Sequence, residues 1–239
     1  SVNESNLRRM LTTYSRTARV SNFRPTAAKA LYEKFSGDGD PVLDFSAGYG
    51  GRLLGCCPLN RDYLGIDPCS AQIQGLHAMI EKLHEIADIR ARPNILQGCA
   101  EEVLPTLPDS SVSLVFSSPP YFDAERYSNE PTQSYIRYPH FEEWRELFLG
   151  QVIAESARLL VPNGYLLLNI ADINGLPLVE EARRLTARHL RLVDVLELRL
   201  GHKPYLRKRT QRQYKIEPIL VFQKPRLMRL RIDSATLPR

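Results

Sequence analysis

The chain has 239 residues, of which 43% are hydrophobic and 25% charged, and its formal net charge is +5. That balance suits one large globular domain, or a domain with appendages, and excludes wholesale disorder. No apolar run reaches the roughly 18 residues of a membrane span, and the basic excess favours an anionic partner.

Residues 1–20 are polar, carry no signal-peptide pattern and read as an appendage. A helical pattern follows over about 24–36, then a strand at 41–47, "PVLDFSA", and a short helix at 51–56. Next come a strand at 62–67, a helix at 70–87, and strands at 94–98 and 112–118. A long helix is predicted over 141–160, a strand over 164–172 and a helix over 176–190. The last two strands, 192–200 and 217–224, are joined without a helix, so the final one is expected to run antiparallel. Near-continuous apolar strands separated by helices predict an α/β fold: seven strands, mostly parallel, with helices on both faces. The main domain is read over 21–224, and 225–239 is a basic tail.

The four cysteines, Cys56, Cys57, Cys69 and Cys99, form neither a C-x-x-C pair nor a cysteine–histidine cluster of zinc spacing. They read as reduced thiols of an intracellular protein, cytoplasmic or nucleoid-associated if prokaryotic, and no metal is expected.

Ligands of open α/β sheets bind beyond the carboxyl ends of the strands. The first strand ends at Asp44 and enters "DFSAGYGGR", where Gly48, Gly50 and Gly51 permit a tight turn and close backbone approach. The G-K-[ST] ending of a P-loop is absent. Asp67 ends the second strand; it can accept hydrogen bonds from both ribose hydroxyls or cap the next helix, with Ser70 competing for the cap. The third strand leads to "QGCAEEVL", which can set Ala100 and Glu101 beside an adenine, although Glu101 or Glu102 also suits a helix first turn. Together these strand ends describe an adenosine-shaped site.

The run "LVFSSPPYF" stops a buried strand abruptly. Two prolines lack the N–H that a sheet ladder needs, so the chain leaves at Ser117 and Ser118 in a rigid extended form. Residues 122–144, rich in charges and aromatics, read as a loop that closes over substrate. Residues 201–216 contain "HKPYLRKRTQRQYK", in which Lys203, Arg207, Lys208, Arg209 and Arg212 alternate with Tyr205 and Tyr214. That pattern fits a nucleic-acid contact or a solvated basic loop.

These motifs resemble those of the S-adenosylmethionine-dependent amino-methyltransferases of DNA. Asp44, Gly48 and Gly50 fit that family's D-x-x-x-G-x-G, and Ser118-Pro119-Pro120-Tyr121 is similar to its [DNS]-P-P-[YFW] tetrapeptide. "NFRPTAAKALYEKF" resembles the segment before the glycine loop, and "LLVPNGYLLLNI" the lead into the fifth strand. The resemblance covers about residues 20–224, with DFSAGYGG where many members have a proline-bearing loop.

It implies a Rossmann-like class I methyltransferase fold and S-adenosyl-L-methionine as cofactor. The implied cofactor residues are Phe23, Arg24, Pro25, Thr26, Asp44, Ser46, Ala47, Gly48, Gly50, Asp67, Pro68, Ala100, Glu101 and Ser117. The implied catalytic residues are Ser118, Pro119, Pro120 and Tyr121. The implied partner is DNA, with no membrane association, and the chain's size permits a homodimer.

An exocyclic amine is a poor nucleophile because its lone pair is delocalised into the ring. Acceptors such as the Ser118 hydroxyl and the Pro119 carbonyl can free that pair, and the prolines hold them in place. Tyr121 offers a ring for a flipped base to stack on. Serine at the first motif position is commoner among cytosine-N4 enzymes than among adenine-N6 ones. Alternatives are methylation of RNA or of a protein amide, or a nucleic-acid-binding subunit with a vestigial site.

Overall fold

The computed structural model describes residues 22–124, 126–200 and 215–226. The segment 1–20, the five basic candidates Lys203, Arg207, Lys208, Arg209 and Arg212, and most of the tail lie outside the described residues.

The first described helix, α1 (Pro25–Phe35), begins where its sequence says it should. Proline stands in its first turn, where a missing N–H costs nothing, and Arg24 before it is extended. Ala28, Leu31 and Tyr32 are buried at helical spacing. Then follow β1 (Pro41–Asp44), α2 (Gly51–Cys56), β2 (Asp62–Asp67), α3 (Ser70–Ile86), β3 (Arg92–Gln97), α4 (Ala100–Val103) and β4 (Val112–Ser117). A short helix α5 (Ser134–Arg137) precedes a long helical run, α6, made of Phe141–Glu143, a π-helical stretch Trp144–Gly150, and Gln151–Leu159. The chain continues through β5 (Leu160–Asn169), α7 (Leu178–Thr186), β6 (Arg191–Leu200) and β7 (Lys215–Gln223).

The seven strands lie in the order β3-β2-β1-β4-β5-β7-β6. The pairs from β3 through β5 are parallel, and β7 runs antiparallel to both β5 and β6. This is the expected α/β sheet of the class I methyltransferase fold. Strand order reverses between β1 and β4, so the crevice for a ligand opens at their carboxyl ends.

Successive strand residues pack on opposite faces of the sheet. Leu43, Val115 and Leu166 join one core cluster, which includes Trp144 and Val152 of α6. Val42, Leu114 and Leu167 join the other, with Ala28 and Tyr32 of α1 and Leu53 of α2. Both faces are covered, which is why "LVF" at 114–116 is uniformly apolar instead of alternating. Burying each such side chain contributes about 1.5–3 kcal/mol.

The fifth strand starts four residues earlier than its apolar run, because Leu160 pairs with Val112 before a register shift. Asn163, at φ 66°, and Gly164 take up the irregularity. Among the described residues, no helix is long and apolar enough to cross a membrane, and no group of three or more His, Cys, Asp or Glu side chains is placed to hold a metal. All four cysteines are buried and free.

Candidate active site at the switch point

A cavity of about 860 Å3, open solvent included, lies at the carboxyl ends of β1 to β4. Phe23, Ser46, Ala47 and Gly48 line one side, and Asp67, Pro68, Ala100 and Glu101 another. Ser118 and Pro120 of the proline corner complete it. Ten of the residues singled out from sequence therefore meet in one place. Asp44, Gly50, Ser117, Pro119 and Tyr121 do not line it. Nor do Arg24, Pro25 and Thr26: Pro25 opens α1, and the exposed Arg24 guanidinium donates to the Arg199 carbonyl.

Asp44 does not reach the cavity, because the protein uses its carboxylate internally. It is wholly buried and accepts hydrogen bonds from Arg52 at 2.7 and 3.1 Å, from the Tyr63 hydroxyl at 2.9 Å and from the Ser117 hydroxyl at 2.8 Å. Arg52 also donates to the Ser46 carbonyl, so one ion pair ties β1, the glycine loop, α2 and the end of β4 together. Burial works against the Arg52 charge, but the adjacent Asp44 outweighs it and lifts the guanidinium pKa above its ordinary value. Sequence reading assigned Arg52 no role.

The glycine loop is held from the other side by Asp67. Gly48 has φ 53°, a left-handed conformation that other residues rarely adopt, and its N–H donates to Asp67 Oδ2 at 2.9 Å. Asp67 Oδ1 accepts from the Cys69 N–H at 3.0 Å. So Asp67 serves the approach to α3 and the cavity wall together, while Ser70 turns to Glu130 instead. Burial raises the Asp67 pKa, and the two N–H groups offset part of the rise. At Gly51, any Cβ would collide with the Phe23 carbonyl oxygen. This close contact between α2 and the start of α1 brings Phe23 to the cavity.

At the proline corner the Ser118 hydroxyl donates to the Asn169 carbonyl at 3.0 Å. Its hydrogen is committed to β5, and the oxygen of this cavity-lining residue keeps lone pairs that can accept. The Tyr121 ring, expected as an open stacking face, is instead 7% exposed and packed in the core. Its hydroxyl accepts from Asn169 Nδ2 at 3.2 Å. The next residue, Phe122, has φ 53°, and its ring meets those of Phe141 and Trp144. This strained backbone turns the chain inward after the corner. The aromatic side chains that do line the cavity include Tyr49, 42% exposed, and Tyr127, whose ring centroids stand 6.4 Å apart.

The segment after the corner packs on the cavity wall at Pro68, Cys99 and Glu101. Glu130 accepts from the Ser70 N–H at 3.2 Å and from its hydroxyl at 2.8 Å, and these bonds lower its pKa. Thr132 Oγ1 donates to the Pro68 carbonyl at 3.3 Å, and the Thr132 carbonyl accepts from Cys99 Sγ at 3.4 Å. Arg137 pairs with Glu101 at 3.3 Å, and the Tyr138 hydroxyl donates to the same carboxylate at 3.3 Å. Burial raises the Glu101 pKa and Arg137 opposes it. Gln133 and Ser134 line the cavity, and fully buried Trp144 donates to Ser134 Oγ at 3.1 Å. The π-helical stretch begins at that tryptophan.

These residues fit S-adenosylmethionine. Gly48 allows close backbone approach, Asp67 retains free lone pairs for ribose hydroxyls, and Gln133 Nε2 is buried with no hydrogen-bond partner.

No family model matches the chain. It is 35% identical over 81 residues to the type II methyltransferase M.BglI of Bacillus subtilis, a stretch that covers 34% of this chain and 21% of that protein. It is 34% identical over 82 residues to the type II beta methyltransferase M.BslI of Bacillus sp. (strain NEB-606), covering 34% and 8%. The aligned stretch thus spans a third of this chain and about a fifth or less of these relatives.

Solved structures of the same fold extend over nearly the whole chain. Precorrin-6y C5,15-methyltransferase of Geobacter metallireducens superposes with TM-score 0.57 at 14% identity, covering 87% of this chain and 93% of that one. TrmN of Thermus thermophilus superposes with TM-score 0.58 at 14% identity, covering 89% and 52%. The chain thus has the class I methyltransferase fold, and over about a third of its length it is similar in sequence to two type II methyltransferases.

Proposed function

We propose that this chain methylates an exocyclic amine of a DNA base, cytosine N4 in preference to adenine N6, using S-adenosylmethionine. The observation that carries the proposal is the Ser118 hydroxyl. It lines the same cavity as Gly48, Asp67 and Glu101, and its hydrogen is already donated to Asn169. The cofactor, when bound, supplies an electrophilic methyl group on a sulfonium sulfur.

The protein's own contribution is to prepare the amine. Ser118 Oγ cannot donate along the direction taken by Asn169, so it presents acceptor lone pairs to an amine N–H. The proposed second acceptor is the Pro119 carbonyl, which does not itself line the cavity but joins Ser118 and Pro120, which do, on a backbone stiffened by two prolines. Accepting from both N–H groups favours pyramidal nitrogen and stabilises the positive charge that develops there. After transfer, the amine proton passes to water. Serine at this position favours cytosine N4, and the basic segment 201–216 supplies phosphate contacts. A flipped base would stack on the cavity-lining rings of Tyr49 and Tyr127, while the Tyr121 hydroxyl is tied to Asn169.

The decisive experiment is incubation of the protein with DNA and RNA and methyl-labelled cofactor, followed by mass spectrometry of the nucleosides. Label on N4 of deoxycytidine supports the reading in full, and label on N6 of deoxyadenosine corrects the base. Label in RNA alone, or none in either nucleic acid, overturns it.

A further inference from the structure

We infer that Gln133 is the residue that recognises the base of the cofactor, through a hydrogen bond from its carboxamide Nε2 to a ring nitrogen of adenine. This rests on the cofactor reading above and names a determinant outside the motifs that carry it. Gln133 is 5% exposed, lines the cavity, and its Nε2 is buried without a partner. A buried donor left unpaired is unfavourable, so it is retained where a partner offsets the loss.

Position selects what that ligand group is. The neighbouring Thr132 bonds to Pro68, just beyond β2, and to Cys99, just beyond β3. Gln133 therefore sits over the gap between those two strand ends, past the Asp67 carboxylate that suits a ribose. A nucleoside whose ribose meets Asp67 would set its base there. Adenine offers ring nitrogens as acceptors and one amine as donor, so an N–H donor is complementary to a ring nitrogen. Glu101 on the same wall cannot be that donor, since its carboxylate accepts from Tyr138 and pairs with Arg137.

The segment that carries Gln133 is held independently of any base. Glu130 anchors it to Ser70, Thr132 to Pro68, and Ser134 receives the Trp144 indole N–H. Its main chain continues as the first turn of α5, with the Ile136 and Arg137 N–H groups donating to the Gln133 carbonyl. The backbone that carries the side-chain amide is therefore pre-placed rather than recruited, as a specificity contact requires.

The test uses S-adenosylhomocysteine and its 1-deaza-, 3-deaza- and 7-deaza-adenine analogues, titrated by calorimetry into wild type and Gln133→Met. Methionine keeps the length and removes the donor. The variant should bind S-adenosylhomocysteine about 5- to 10-fold more weakly, the scale of one hydrogen bond. One deaza analogue should lose a similar factor against wild type and nothing further against the variant. The ligand-free variant should melt no lower than wild type, because it sheds an unpaired buried donor; a purely structural glutamine would lower the melting temperature instead. Equal binding of all three analogues to wild type overturns the inference, and does so even if the variant fails to fold. Loss of affinity in the variant without coupling to any ring nitrogen also overturns it. Failure of wild type to bind S-adenosylhomocysteine at all would sink the cofactor reading, and this inference with it.

Discussion

Replacing Asp44 by asparagine should destabilise the protein by about 3–5 kcal/mol, the cost of breaking a buried ion pair by removing one partner. Asp44 is wholly buried, and its two oxygens accept from Arg52 twice, from Tyr63 and from Ser117. An amide in its place removes the countercharge of a guanidinium that is itself only 6% exposed. It also points N–H donors at groups that are donors themselves. Summing about 1.5–3 kcal/mol for each charge-assisted bond would approach the whole stability of a domain, about 5–15 kcal/mol. Those bonds share one carboxylate and are not additive, so the figure for the pair is the better guide. Urea unfolding followed by circular dichroism would measure it, with the m-value checked for two-state behaviour. Arg52→Met alone should also be costly, but the double variant Asp44→Asn with Arg52→Met should lose less than the sum of the two. If Asp44→Asn unfolds within about 1 kcal/mol of wild type, or if the double variant is simply additive, the ion pair is not what organises the glycine loop.

Ser118→Ala should slow methyl transfer by about 10- to 1,000-fold, the scale of one preorganised group, while S-adenosylhomocysteine affinity by calorimetry stays unchanged; unchanged single-turnover rates would move the chemistry elsewhere. Burial holds the Asp67 carboxyl above its ordinary pKa, so its proton favours the folded state. The stability from that proton is full below the ordinary aspartate value of about 3.9 and is lost as pH rises through the raised one. The unfolding free energy of wild type relative to Asp67→Asn should therefore decline across that window, and a flat difference would refute the assignment. For the basic segment, neutralising two of Lys203, Arg207, Lys208, Arg209 and Arg212 should lower the slope of log K for DNA against log salt by about 0.9 for each phosphate left without its cation. An unchanged slope would make the segment a solvated loop.

Much of this protein is written locally in its chain. Unbroken apolar runs between amphipathic helices announce a sheet covered on both sides, because a residue pair such as Leu114 and Val115 must satisfy two different cores. Strand ends are marked by residues that cannot continue a ladder, and those ends carry Gly48, Asp67, Glu101 and Ser118 to one cavity. Their meeting follows from the parallel topology, which sends successive strand carboxyl ends to the same edge. What the chain alone did not decide is the direction and partner of each side chain. Asp44 stands in a ligand motif, yet it is consumed by Arg52, which only the packing of α2 against β1 brings within reach. Tyr121 stands where a stacking ring belongs, yet the left-handed turn at Phe122 and the amide of Asn169 draw it inward. Asn169 lies 48 residues away and Gln133 lies in a loop without a motif. Hydrogen bonds of that kind depend on long-range register and on which donors remain unpaired after folding, and neither leaves a periodic trace in sequence.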